Sequence, residues 1–231
     1  MADRDRKDTK GAAGGFEHGA RADESIAFTL DRQRLTARPG EAIWLAAQRH
    51  GISIPHACLS LAPDFQPDGN CRLCLVEVEG YRALQPSCRM KASEGLVVFT
   101  DSEQAVLARR IVMELLLSDA AIHARSECGR VAAAMGVTAS RFPHSAVRHV
   151  CDDSHPGIAV DLAKCIRCMR CVQACREVEV HNVIGMAGRG HMARIVFDFD
   201  DPMGRSTCVG CGSCAQACPT GAITFKAPSD E

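Results

Sequence analysis

Two stretches of this chain carry the same cysteine spacing, Cys165-x2-Cys168-x2-Cys171-x3-Cys175 and Cys208-x2-Cys211-x2-Cys214-x3-Cys218, the second followed at once by Pro219. Thiols in two matching registers constrain the fold more than any other feature, because they fix what the polypeptide around them must wrap. Three evenly spaced cysteines and a fourth make the ligand pattern of paired [4Fe–4S] clusters, in which the fourth cysteine of each run reaches across to the other cluster. Zinc ribbons use two Cys-x2-Cys pairs instead. The crossed rule assigns Cys165, Cys168, Cys171 and Cys218 to a first cluster, and Cys175, Cys208, Cys211 and Cys214 to a second.

A further set lies upstream, Cys58-x12-Cys71-x2-Cys74-x13-Cys88, with Gly69-Asn70 just before its close pair. Four thiolates hold either a [2Fe–2S] cluster or a single tetrahedral zinc, and the spacing alone leaves both open. The glycine allows backbone amides to approach sulfur closely. Of the 14 cysteines in the chain, these sets leave Cys128 and Cys151 unassigned. An unpaired cysteine such as Cys151 reads by default as a small buried hydrophobe.

The stretch Met1 to Gly15 is charged and glycine-rich with no apolar core, so no secretory leader is read there. A reducing, cytoplasmic setting follows as the expectation, with thiols free for metal rather than disulfides. No run of 18 apolar residues is present, so no membrane span is expected. Basic and acidic residues number 27 and 28, for a net charge of −1, with one Trp and one Tyr. That balance offers neither the electrostatic footprint nor the stacking platforms of a nucleic-acid binder. No Gly-x-Gly-x-x-Gly follows a strand, no P-loop and no Gly-x-Ser-x-Gly is found, and the 9 histidines are scattered. The glycine-rich Gly185 to Gly190 reads as a loop. No catalytic residue is predicted.

The patterning predicts an α+β chain in four parts. Residues 1–23 read as a disordered tail, 24–100 as a [2Fe–2S] domain, 101–159 as a helical connector, and 160–226 as the double-cluster module. In the second part Ile26, Phe28 and Leu30 alternate with polar residues, a turn follows at Asp31 to Gln33, and Leu35 to Arg38 resumes a strand. Glu41 to His50 is spaced for a helix that Gly51 ends, and strands follow at Leu75 to Val78 and Leu96 to Phe99. This order makes a β-grasp ferredoxin fold. Asp101 to Leu117 reads as an amphipathic helix capped by Ser102, with a weaker helix from Gly129 to Met135. The stretch Thr138 to Pro156 is irregular, and a strand-rich insertion near Met192 to Asp198 separates the two cysteine runs.

The segments Ile54-Pro55-His56-Ala57-Cys58, Gly69-Asn70-Cys71-Arg72-Leu73-Cys74-Leu75-Val76-Glu77-Val78-Glu79-Gly80 and Ser87-Cys88 strongly resemble the N-terminal domain of a known family. Its members include the large iron–sulfur subunit of complex I, the diaphorase-side subunit of NAD-reducing hydrogenases, and the N-terminal part of NAD-dependent formate dehydrogenase catalytic subunits. The resemblance continues through Leu115-Leu116-Leu117-Ser118-Asp119, Ser140-Arg141-Phe142-Pro143 and the double-cluster module, which is similar to bacterial-type 2[4Fe–4S] ferredoxins. It implies that Cys58, Cys71, Cys74 and Cys88 bind [2Fe–2S]. It also implies an electron-relay subunit between a flavin- and NAD(H)-binding subunit and a separate catalytic subunit. A molybdenum or tungsten formate dehydrogenase is the first partner expected and a nickel hydrogenase the next. A free soluble multi-cluster ferredoxin is the alternative.

The chain departs from the family at one place. After Leu-Leu-Leu-Ser-Asp the family carries a His-x3-Cys-x2-Cys-x5-Cys site for one more [4Fe–4S] cluster. In that register this chain places Ala120, Ala124, Glu127 and Ala133, with His123 and Cys128 out of step. The site is expected to be lost, with His123 and Cys128 as relics or packing residues. Lys164, Arg167, Arg170 and Arg176 flank the first run, where they would raise a cluster's potential or face an acidic partner.

Overall fold

The computed structural model describes residues 25–62, 64–144 and 151–227. The expected tail at residues 1–23 and part of the irregular Thr138 to Pro156 stretch lie outside them. Strand β1 (Ile26–Leu30) turns at Asp31 and Arg32 into β2 (Gln33–Ala37). Both turn residues have positive φ, +47° and +67°, which gives the hairpin the twist its strands need. The Asp31 carboxylate accepts from the Thr100 N–H and Oγ1, each at 2.6 Å, and so ties the hairpin to the end of the sheet.

Helix α1 (Ile43–Arg49) buries Ile43, Trp44, Ala46 and Ala47 against that sheet. Strands β3 (Leu75–Val78), β4 (Gln85–Pro86) and β5 (Val97–Phe99) complete it in the order β2-β1-β5-β3-β4. Only β1 and β5 run parallel; the other pairs are antiparallel. A mixed sheet wrapped on one helix is the β-grasp arrangement. Phe28, Leu30, Ile43, Val76, Val78 and Val98 fill its core, joined by the cysteines Cys74 and Cys88.

Helix α2 (Glu103–Asp119) starts where the Ser102 Oγ accepts from the Ala105 N–H at 3.3 Å. Its faces differ from the amphipathic expectation. It buries Arg109, Glu114 and Ser118 and leaves Val106, Leu107 and Leu115 about half exposed. The inward face mixes these polar groups with the fully buried Ala105 and Met113, and the polar groups have partners there. Arg109 donates to the Thr100 and Leu75 carbonyls at 2.6 and 3.2 Å, and Arg141 meets Glu114 at 2.5 Å. Helix α3 (Glu127–Ala134) begins two residues earlier than its sequence pattern predicts, because Ser126 caps it through the Gly129 N–H at 3.0 Å.

Strands β6 (Cys151–Asp152), β7 (Ile158–Asp161) and β10 (Ile223–Phe225) form an antiparallel sheet, β10-β7-β6. Strands β8 (Ile184–Ala187) and β9 (Arg194–Phe197) form a hairpin between the cysteine runs. The loop expected from Gly185 to Gly190 is therefore in part a strand. Ile184, Met186 and Ala187 pair with Phe197, Ile195 and Arg194, and the turn runs from Gly188 to Ala193. Short helices α4 (Arg170–Gln173) and α5 (Ser213–Ala217) carry the middle of each run. Between the N-terminal and C-terminal cores lies a third packing cluster. It gathers Ala57, Cys58, Cys71, Met113, Cys128, Ala132, Ile166 and Cys168 from all three parts of the chain.

Candidate metal centres

Cys58, Cys71, Cys74 and Cys88 converge and are at most 5 % exposed. The turn that presents the close pair has Gly69 at φ +72° and Arg72 at +57°. Those angles aim the Asn70 and Cys71 amides at the Cys58 sulfur. The Ser87 Oγ and N–H both donate to the Cys74 carbonyl, at 2.8 and 3.0 Å, and hold Cys88 beside Cys74. The thiols hydrogen-bond one another. Hydrogen bonding from Cys71 and then Cys88 lowers the Cys58 thiol, and hydrogen bonding from Cys88 lowers Cys74. Cys71 and Cys88 are pushed up, chiefly because Cys58 accepts their protons. Such a set keeps negative charge inside a buried pocket with only protons to share. This is the chemistry of a site made for an iron–sulfur core or another thiophilic metal.

The cysteine runs fold as a repeat. The Arg167 N–H meets the Cys165 sulfur at 3.4 Å, and the Gly210 N–H meets the Cys208 sulfur at 3.4 Å in the matching place. The residues after the second cysteines, Met169 and Gly212, both take left-handed φ, +70° and +81°. Two small pockets of nearly equal size result. Cys165, Cys168, Cys171 and Cys218 line one, with Ile195 and Ile223. Cys175, Cys208, Cys211 and Cys214 line the other, with His181, Val183 and Ile184. The fourth cysteine of each run thus lines the other run's pocket. Val183 and Ala222 donate their N–H groups to the Cys175 and Cys218 sulfurs at 3.3 and 3.2 Å. Burial pushes the Cys165, Cys168, Cys171 and Cys214 thiols up, a cost that a bound cation would offset. The donor set, its grouping and its amide hydrogen bonds all fit two [4Fe–4S] clusters.

Residues 23–103 match a 2Fe-2S iron-sulfur cluster binding domain, and residues 164–222 match a 4Fe-4S dicluster domain. A crystal structure of NAD+-reducing [NiFe]-hydrogenase in the H2-reduced state contains a chain of the same fold. The TM-score is 0.80 at 32% identity, over 89% of this chain and 89% of that one. The chain belongs to the iron–sulfur subunit family of NAD-reducing hydrogenases and complex I. Other family members are the NADP-reducing hydrogenase subunit HndD of Solidesulfovibrio fructosivorans and the mitochondrial NADH-ubiquinone oxidoreductase 78 kDa subunit of Candida albicans. The first is 33% identical over 86% of this chain, and the second 30% identical over 87%. The chain spans 36% and 28% of the length of those two proteins.

Against the family pattern, His123 and Cys128 do not meet. His123 is exposed, and its Nδ1 accepts from the Arg125 N–H at 3.1 Å. Cys128 is fully buried, its thiol is raised to about 11 by burial, and its N–H donates to the Pro219 carbonyl at 2.9 Å. Cys151 is exposed on β6 within 3.8 Å of Asp161 Oδ1, against the buried role expected for it. A two-residue edge strand leaves its side chain uncovered. Three of the four basic residues near the first run are ion-paired within the chain. Lys164 pairs with Asp161 at 2.9 Å, Arg167 with Asp119, and Arg170 with Glu127 at 2.7 Å, so of these four Arg176 alone has no ion pair to a described residue. Sequence reasoning missed Glu179 and His181, whose ligand atoms lie with that of Cys211 inside a 4.8 Å group. No motif spacing links them to the runs; the turn after Cys175 holds them there, with the His181 N–H donating to the Cys175 carbonyl at 2.7 Å and the Ser213 Oγ donating to Glu179 Oε1.

Proposed function

We propose that the chain is an electron-relay subunit with three clusters. Cys58, Cys71, Cys74 and Cys88 hold [2Fe–2S]. Cys165, Cys168, Cys171 and Cys218 hold the first [4Fe–4S], and Cys175, Cys208, Cys211 and Cys214 hold the second. The observation that carries this reading is the sorting of the two runs into two pockets by the crossed rule, next to a buried four-thiol site. When bound, the clusters supply one-electron steps to a two-electron donor such as flavin. The protein's own part is to space them, bury them and aim amides at their sulfurs.

The packing cluster shared by Cys58, Cys71 and Cys168 supports an order in which [2Fe–2S] neighbours the first [4Fe–4S]. The exposed Cys211 supports the second [4Fe–4S] as the outer end. The relay then runs between a flavin- and NAD(H)-binding subunit and a separate catalytic subunit. The sequence reading favours a molybdenum or tungsten formate dehydrogenase. The likeness to a hydrogenase chain over most of both lengths favours a nickel hydrogenase as the second reading.

Anaerobically isolated chain should contain about ten iron and about ten acid-labile sulfide. Zinc in their place would sink the proposal. Partner chemistry is read by isolating the native complex and adding formate or H2 separately, then following cluster reduction by electron paramagnetic resonance. Reduction by formate alone selects the first partner, and by H2 alone the second. A species that stays monomeric at 24.8 kDa after mild lysis would favour a freely diffusing ferredoxin instead.

A further inference from the structure

Arg170 is shared by two of the three sites. It lies between Cys168 and Cys171 in the first cysteine run, yet its side chain turns toward the other module. Its Nη1 donates to the Ala57 carbonyl at 3.4 Å, one residue from Cys58, and to Glu127 Oε1 at 2.7 Å. The residue is 6 % exposed, and its Nε is the one buried side-chain nitrogen or oxygen without a partner among the described residues. A buried guanidinium with an unpaired N–H is costly, and it persists where something else draws on its charge. Glu127 only partly offsets that charge, since its side chain remains 38% exposed. The other basic residues near the first run do not serve both sites. Lys164 and Arg167 are drawn to Asp161 and Asp119, and Arg176 is exposed.

Glu127 also stands where the family resemblance reserves a ligand of the missing cluster. An ion pair thus occupies ground where relatives would place a metal. We propose that Arg170, held in place by Glu127, is a positioning residue. It acts as a fixed positive charge common to the [2Fe–2S] site and the first [4Fe–4S] site, and it makes both easier to reduce. Each cluster gains one negative charge when it takes an electron, so a nearby cation favours the reduced form, most strongly where water is excluded. Arginine keeps its charge at any working pH. The packing cluster that encloses this region contains Cys58, Cys71 and Cys168 but no ligand of the second [4Fe–4S], so that site should feel Arg170 least.

The inference rests on the ligand assignment proposed above, and its test keeps the two apart. Iron, sulfide and the three paramagnetic signatures are counted first in the full chain. Their absence from the unaltered protein would defeat the assignment itself. Potentiometric titration then compares the unaltered chain with Arg170→Gln, Arg170→Lys and Glu127→Gln. Arg170→Gln should lower the potentials of [2Fe–2S] and the first [4Fe–4S], and Glu127→Gln should raise both. Arg170→Lys should leave them near the starting values, and the second [4Fe–4S] should move least in every case. A residue that merely braces the fold would not give shifts of opposite sign. Glu127→Gln preserves volume at a partly exposed position and remains decisive if Arg170→Gln fails to fold. A fall or no change in Glu127→Gln, or an equal shift at the second cluster, overturns the proposal.

Discussion

Met169 and Gly212 occupy the same place in the two cysteine runs and meet the same demand, a left-handed backbone, with different residues. Left-handed φ costs a residue with a side chain about 1–2 kcal/mol, and glycine nothing comparable. At Met169 the strain is tolerated because the side chain packs on the surrounding core. At Gly212 there is no such compensation. A Cβ there would lie 2.5 Å from Phe225 Cε1, so the ring would have to move as well. Gly212→Ala should therefore lower stability by about 1–2 kcal/mol, read as a drop of about 2–8 °C in the melting temperature of the loaded chain. This asymmetry was hidden in the sequence. The spacing made the cysteines legible, but it says nothing about which backbone angles the residues between them adopt.

Within the elements, the crossing of the two runs has the clearest consequence. Cys175 stands in the first run but faces the pocket of the second. Cys175→Ser should lose the second [4Fe–4S] signal and about four iron per chain, and retain the first. Loss of the first signal would instead mean that each run holds its own cluster. Helix α2 carries a second prediction. Arg141 and then Arg110 hold the Glu114 carboxyl below its usual range. A depressed carboxyl stabilises the fold above its unfolded value, near pH 4.3, and that contribution fades as pH falls through the lower folded value. Glu114→Gln removes the tie already at pH 7, and amide exchange of residues 140–142 should then quicken severalfold. The helix itself was legible from its Ser102 cap and its length. Its orientation was not, because the polar residues it buries find partners outside the helix, at Thr100 just before it and at the more distant Leu75 and Arg141.

Across the whole molecule, the N-terminal and C-terminal cores depend on metal to different degrees. The core of the double-cluster module includes Cys171, Cys175 and Cys214, flanked by Cys165, Cys208 and Cys218, so bound iron would be part of what that core packs against. The β-grasp core is largely hydrocarbon and contains Trp44, whose Nε1–H donates to the Ile54 carbonyl at 2.9 Å. Chelation should abolish ordered circular dichroism from the C-terminal module before the Trp44 emission changes, and simultaneous change would show that the two cores melt as one. The order of the two cluster domains was legible because cysteine spacing is local. The joint between modules was not, since it is built from single side chains such as Gln173, which donates to the Gln66 carbonyl at 2.9 Å. The two cysteine pockets also differ in how far they open. Cys168 and Cys171 are buried in the first, whereas Cys211 is exposed in the second, with Val209 beside it 64% exposed. Dioxygen therefore has a shorter way to one inorganic core than to the other. Brief contact with air should bleach the Cys211 cluster first and leave a chain cut off at its outer terminal but still able to store charge within.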